Sequence, residues 1–165
     1  ESLAKEKNIE LYFHAQPEVQ RVFLDPTKTE QILINLIDNA IKYNRPNGTV
    51  TVHSNIEQEQ WKLIVQDNGQ GIPASELADI FQLYYRANDA HFQTRQASSG
   101  IGLAWVKQLV EWQSGSVAVE SEVDKGSTFT IQIPLPALPE NEATEYKFSL
   151  TNPMTQSIDE QAEKV

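Results

Sequence analysis

The chain contains no cysteine, which rules out a disulfide framework and a thiolate metal centre and fits a reducing compartment. No apolar run approaches the roughly 18 residues that a membrane-spanning helix requires, and residues 1–10 are charged where a signal peptide would carry its apolar stretch. Basic residues are in the minority. Against 23 Asp and Glu stand 13 Lys and Arg, a formal net charge of −10, so general electrostatic attraction to nucleic acid or an anionic membrane surface is excluded. Any phosphate site must therefore be local. An apolar content of 39% and a charged content of 22% are those of an ordinary soluble globular protein. At 165 residues there is room for one domain with a core and a tail. The start at Glu1, without an initiator Met, reads as that of a piece of a longer protein.

The most informative stretch is QILINLIDNAIKYN, residues 31–44. Ile32, Leu33, Ile34, Leu36, Ile37, Ala40 and Ile41 predict a helix apolar around most of its circumference and buried between other layers. Asn35, Asp38, Asn39 and Lys42 interrupt it at i, i+3, i+4 and i+7, a single polar stripe. A solvated stripe is more often built from Glu, Lys or Gln, which are better helix formers than Asn. Two amides, an acid and a base on one face point to a ligand; the competing reading is the wet edge of a core helix.

Around this helix the elements follow in order. Residues 1–7 read as the end of a helix that begins upstream, and 9–15 and 20–24 as two short strands broken at Pro17. Asp25-Pro26 is a helix start, with Asp25 as N-cap and Pro26 in the first turn. The turn cluster Asn44-Arg45-Pro46-Asn47-Gly48 ends the helix. Residues 49–57 and 61–66 alternate as an antiparallel hairpin, 74–86 read as a short helix, and 87–99 as a long polar loop. A further helix runs from Gly100-Ile101-Gly102 through Glu111, and two strands, 116–122 and 127–134, flank a turn at Asp124-Lys125-Gly126. Residues 136–165 are acidic and dilute in apolar residues, the composition of a flexible tail or linker.

Two glycine pairs carry the chemistry. In Asp67-Asn68-Gly69-Gln70-Gly71 an acid closes a strand and two glycines follow, so a flat ligand can meet backbone while Asp67 accepts from an exocyclic amine. A plain turn at a strand end is the alternative. In Ser98-Ser99-Gly100-Ile101-Gly102 the chain opens a helix, whose free N–H groups and dipole favour an anion. An ordinary glycine-rich helix start is the alternative there.

Together these motifs resemble the ATP-binding catalytic domain of a sensor histidine kinase. Asn35-Leu-Ile-Asp-Asn39-Ala40-Ile41-Lys42-Tyr43 resembles its N box, and Asp67-Asn-Gly69-Gln-Gly71-Ile72-Pro73 its first glycine box. Ile80-Phe81-Gln-Leu-Tyr84-Tyr85-Arg86 resembles the phenylalanine box, Ser98-Ser-Gly100-Ile-Gly102-Leu103 the second glycine box, and Gly126-Ser127-Thr128-Phe129 a closing motif. The five stand in the family's order over roughly residues 7–135; the more distant DNA gyrase and MutL repair proteins share only the first few.

The resemblance implies an α/β (α+β) fold, a two-layer sandwich of a mixed, mainly antiparallel sheet with helices on one face and a mobile ATP lid at 87–99. Residues 8–135 would form the kinase domain. It implies Mg²⁺ and ATP as cofactors. Asn39 would bind the metal through its amide oxygen, with Asn35 supporting metal and phosphates. Lys42 would contact phosphate, Tyr43 would stack near adenine or ribose, and Asp67 would accept from the adenine amine. Gly69, Gly71, Gly100 and Gly102 would let backbone meet nucleotide, Arg86 would reach phosphate as the lid closes, and Ile72, Leu103 and Thr128 complete the nucleotide-binding set.

The departures from the pattern bear on activity. Ser98 stands where the second glycine box usually has its first Gly. Asn35 stands where the gyrase-like relatives carry a water-activating Glu, which argues against ATP hydrolysis by that route. Asn35 and Asp38 are the residues to weigh as catalytic groups, Asp38 being equally well read as a solvent-facing helix acid. His14, His53 and His91 lie outside the His-acid helical pattern that the family phosphorylates. The expected activity is therefore that of a protein histidine kinase's catalytic half. It donates the γ-phosphate to a histidine on an upstream dimerisation and phosphoacceptor helix domain, with a response-regulator receiver as the later partner. Nucleic acid and direct membrane contact are not expected. The expected location is the cytoplasm, the full-length protein being open to an anchor in the inner membrane. The alternatives are an ATP-binding regulatory module without transfer and an anti-sigma serine kinase of the same fold.

Overall fold

Alternation of apolar and polar residues organises the sheet. In the computed structural model, which describes residues 2–15, 22, 24–85 and 100–136, the elements run α1 (Ser2–Glu6), β1 (Glu10–Ala15), α2 (Pro26–Lys42), β2 (Thr49–Glu57), β3 (Gln60–Asp67), α3 (Gly102–Glu111), β4 (Ser116–Glu122) and β5 (Gly126–Pro134). The strands form one sheet in the order β1-β2-β3-β5-β4. β1 runs parallel to β2, and the remaining pairings are antiparallel. This is the mixed, mainly antiparallel α/β arrangement expected from the sequence.

Val52 stands opposite Val65, Val65 opposite Phe129, and Leu63 opposite Ile131. A side-chain period of two places them, with Val50, Trp61 and Ile133, on one face of the sheet. Ile32, Leu36 and Ala40 of α2 and Val106, Leu109 and Val110 of α3 recur at helical spacing and close the same core. Each Ile, Leu or Val among them contributes about 1.5–3 kcal/mol when buried, and Ala40 less, so the two helices are held to one face.

α2 starts as its sequence predicts: Pro26 lies in the first turn, and the Asp25 carboxylate accepts from the Lys28 N–H at 3.0 Å. Its burial is narrower than expected. Only Ile32, Leu36 and Ala40 are fully buried, while Ile34 is 51% exposed. A two-layer fold covers one side of the helix and leaves the other to solvent.

Two further expectations are corrected. Val22 and Leu24 belong to no strand, and Leu24 packs against the core just before α2; the rest of the 20–24 stretch lies outside the described residues. The stretch 74–85 is a run of turns rather than a helix. Its N–H donations step by three residues, from Glu76 to the Pro73 carbonyl (2.9 Å), Asp79 to Glu76 (2.9 Å), Gln82 to Asp79 (2.8 Å) and Tyr85 to Gln82 (3.2 Å). Packing overrides helix propensity here. Ile80 is buried, Phe81 meets Phe129 edge-on at 6.4 Å, and Tyr84 is held left-handed (φ 63) by its bond to the Gly100 carbonyl.

Candidate functional site

The C-terminal half of α2 and the start of α3 face each other. Helical spacing brings Asn35 and Asn39 to the side of α2 that meets Gly102, the first residue of α3. A methyl group on Gly102 would lie 2.9 Å from Asn35 Oδ1 and 3.9 Å from Asn39 Nδ2. Only a glycine leaves that gap open. The Asn35 amide nitrogen donates to the Gln31 carbonyl at 2.8 Å, which turns its oxygen toward Gly102. The N-cap residue Ile101 makes no side-chain bond to α3, and the first-turn N–H groups and dipole of that helix point into the same gap. Lys42 and Tyr43 close the C-terminal end of α2, with the ammonium 5.6 Å from the Tyr43 ring centre. Asp38 of the same stripe is exposed.

Asp67 continues the inward-facing series Trp61, Leu63, Val65 along β3, opposite Val50. Strand alternation thus carries a carboxylate to the rim of the apolar core. Its Oδ1 accepts from the Gly69 N–H at 2.8 Å, and the Ser127 N–H donates to the same carboxyl group. Burial raises its pKa to about 6 despite those two donors.

The glycines hold these parts together by excluding side chains from backbone contacts. A Cβ on Gly69 would sit 2.5 Å from the Tyr43 carbonyl oxygen, and the neighbouring Gln70 N–H donates to that oxygen at 3.1 Å. The first glycine motif is therefore sewn to the end of α2. Gly71 is left-handed (φ 68), and a Cβ there would lie 1.9 Å from the Glu122 carbonyl oxygen. Gly100, also at φ 68, abuts the carbonyl of Tyr85. The Tyr84–Gly100 bond at 2.9 Å joins the two sides of the 86–99 stretch. Arg86, the expected lid at 87–99, His91 and Ser98 lie outside the described residues.

Ile72 and Leu103 are partly buried against the core; Thr128, on β5, lies opposite Gln66 and Glu120. His14 and His53 stack at 4.8 Å on neighbouring strands, both exposed. Sequence reasoning passed over the polar ties around the site. Asn44, 1% exposed, donates to the Thr49 carbonyl and accepts from Arg45 N–H, fixing the turn after α2. Asn68 Oδ1 accepts from Thr49 N–H at 2.7 Å, and Ser121 Oγ accepts from Ile72 N–H at 2.8 Å. The Asn44…Gly48 cluster was a visible signal for the first; nothing local marks the other two, which depend on residues 19 and 49 positions away.

Among the described residues no group of three His, Asp or Glu could hold a metal by itself. A hard cation here would need amide oxygens together with ligand phosphates, the donor set that suits Mg²⁺. Asn35 turns such an oxygen into the open gap at Gly102, and Asn39, whose Nδ2 faces the gap, offers one once its amide is turned over.

Residues 24–137 match the family of histidine kinase-, DNA gyrase B-, and HSP90-like ATPases. The chain belongs to this family. It is 44% identical over 110 residues to the circadian input-output histidine kinase CikA of Synechococcus elongatus, covering 67% of this chain and 14% of that protein. It is 39% identical over 134 residues to the aerobic respiration control sensor protein ArcB of Escherichia coli K12, covering 79% of this chain and 17% of that one. Full-length ShkA, solved in complex with AMPPNP, superposes with a TM-score of 0.72 at 26% identity over 83% of this chain and 28% of that one. The chain thus spans less than a fifth of the length of these two curated relatives. Its fold is that of the ATP-binding catalytic domain of sensor histidine kinases. Among the described residues no helix of this ATPase-family domain is long and apolar enough to cross a membrane.

Proposed function

We propose that this chain binds Mg²⁺·ATP and, within a longer protein, presents the γ-phosphate to a histidine on a separate dimerisation and phosphoacceptor domain, from which a receiver domain takes it. The observation that carries this reading is the start of α3, with the apolar Ile101 at its N-cap, facing Asn35 and Asn39 across Gly102. Backbone N–H groups there would receive phosphate oxygens. The Asn39 amide oxygen, supported by Asn35, would hold the metal, and Lys42 would add positive charge at the same end of α2. Asp67 would accept from the adenine amine at the far side of the pocket, and Tyr43, Ile72, Leu103 and Thr128 would border the nucleotide. Arg86 would complete the phosphate contacts. The metal, when bound, would neutralise phosphate charge and fix the terminal phosphate for transfer. No side chain here has to break a bond covalently, since phosphoryl transfer relies on positioning and electrostatics. We place the protein at the cytoplasmic side, where ATP is present.

The test has two stages. Calorimetric titration of the chain with AMPPNP should show Mg²⁺-dependent binding, weakened roughly tenfold or more by Asn39→Ala; no binding by the wild-type chain overturns the reading. The longer protein, including the segment before Glu1, should then acquire acid-labile label on a histidine from radiolabelled ATP. Acid-stable label on a serine would favour the serine kinase, and binding without label the regulatory module.

A further inference from the structure

α1 ends in a way that aims one lysine at the last turn of α2. Asn8 is left-handed (φ 53), its N–H donates to the Lys5 carbonyl at 3.1 Å, and the Ile9 N–H donates to the Ala4 carbonyl at 2.8 Å. This termination leaves Lys7 facing the C-terminus of α2. The Lys7 ammonium donates to the carbonyls of Lys42 (2.5 Å), Asn44 (3.0 Å) and Ile41 (3.3 Å). Three donors meet three acceptors at the negative end of the helix dipole, so the match holds in number and in sign. The backbone repeats the tie, with Asn47 N–H donating to the Lys7 carbonyl at 2.8 Å and Glu10 N–H to the Gly48 carbonyl at 3.0 Å. On the other side the same turn is held by the Gln70 N–H on the Tyr43 carbonyl. Asn39 belongs to this turn as well, its carbonyl accepting from Tyr43 N–H at 2.9 Å.

We propose that Lys7 is a positioning residue that couples the placement of α1 to the phosphate-facing end of α2. With α1 docked, the lysine holds the last turn, and with it Asn39 and Lys42, in the arrangement that receives nucleotide. Turning α1 about its own axis by a single residue, about 100°, carries the ammonium away from all three carbonyls and loosens that turn. The placement of α1 is thereby felt at the nucleotide site. The inference rests on the nucleotide site proposed above.

The experiment compares wild type, Lys7→Met and Lys7→Arg as the full chain. Met keeps the stem and removes the charge, whereas Arg keeps the charge in a planar fork that cannot converge on three carbonyls. AMPPNP affinity is measured with Mg²⁺ by calorimetry, and amide exchange without nucleotide. Lys7→Met should bind roughly three- to tenfold more weakly and lose protection at Tyr43, Asn44 and Arg45. Protection of β3 and β5 should be retained, and Lys7→Arg should fall between. Wild-type affinity in Lys7→Met overturns the coupling, even if the last turn exchanges faster, because the lysine is then a structural cap alone. Uniform loss of protection, strands included, overturns it too. A wild-type chain that binds no nucleotide overturns the functional reading itself, a result distinct from either.

Discussion

Replacing Asp67 by Asn should make the protein more stable at neutral pH while weakening its hold on nucleotide. Asp67 sits at the inward end of β3, where burial lifts its pKa from 3.8 to about 6 against the opposing N–H donors of Gly69 and Ser127. A carboxyl group whose folded pKa exceeds its unfolded value binds a proton more tightly in the folded state. Stability therefore falls as pH rises from about 4 through about 6, and the full cost is present above that window. The rise, a little over two on the pH scale, corresponds to roughly 3 kcal/mol. Asn is never ionised and escapes this cost. Its NH₂ group cannot accept from either N–H donor, which takes back about 1 kcal/mol. The expected outcome is a D67N variant about 1–3 kcal/mol more stable than wild type at pH 7, and no more stable at pH 4. Urea unfolding of both proteins across pH 4–8 measures the difference, provided the m-values agree. A gap between the two that stays constant over that range would refute the assignment of the shift to Asp67. In the same samples D67N should bind AMPPNP roughly tenfold or more weakly, since an acceptor for the adenine amine is lost.

Gly102→Ala should leave the melting temperature unchanged or higher and weaken nucleotide binding, because the new methyl group meets the movable Asn35 amide at 2.9 Å rather than backbone; unaltered affinity would show that the Gly102 gap is not used. Gly71→Ala should cost roughly 2–4 kcal/mol in denaturant unfolding, since a left-handed residue gains a Cβ 1.9 Å from the Glu122 carbonyl oxygen. A loss below about 1 kcal/mol would mean that the β4–β5 turn yields easily. On α2, Leu36→Ala should cost about 2–5 kcal/mol and Ile34→Ala less than about 0.5 kcal/mol. Equal losses would contradict a helix buried on one side only.

What the amino-acid order determined by itself is the set of local signals. Asp25-Pro26 starts α2, the turn cluster after Tyr43 stops it, and period-two alternation delimits β2 and β4 at their observed ends. These depend on capping, backbone restriction and side-chain periodicity, which act over a few residues. The polar stripe of α2 and both glycine pairs were legible for the same reason, and their order along the chain pointed to the family. Tertiary structure decided the rest. Helical propensity could not reveal that 74–85 winds as separate turns, because the pull comes from Ile80 and Phe81 packing on the sheet and from the Tyr84–Gly100 bond. Nor could composition show which side of α2 would stay wet, since Ile34 and Leu36 differ only in what lies across from them. The raised pKa of Asp67 and the reach of Lys7 to the end of α2 arise from groups tens of residues apart. Burial and convergent hydrogen bonding are properties of the folded neighbourhood, and no short stretch of chain contains them.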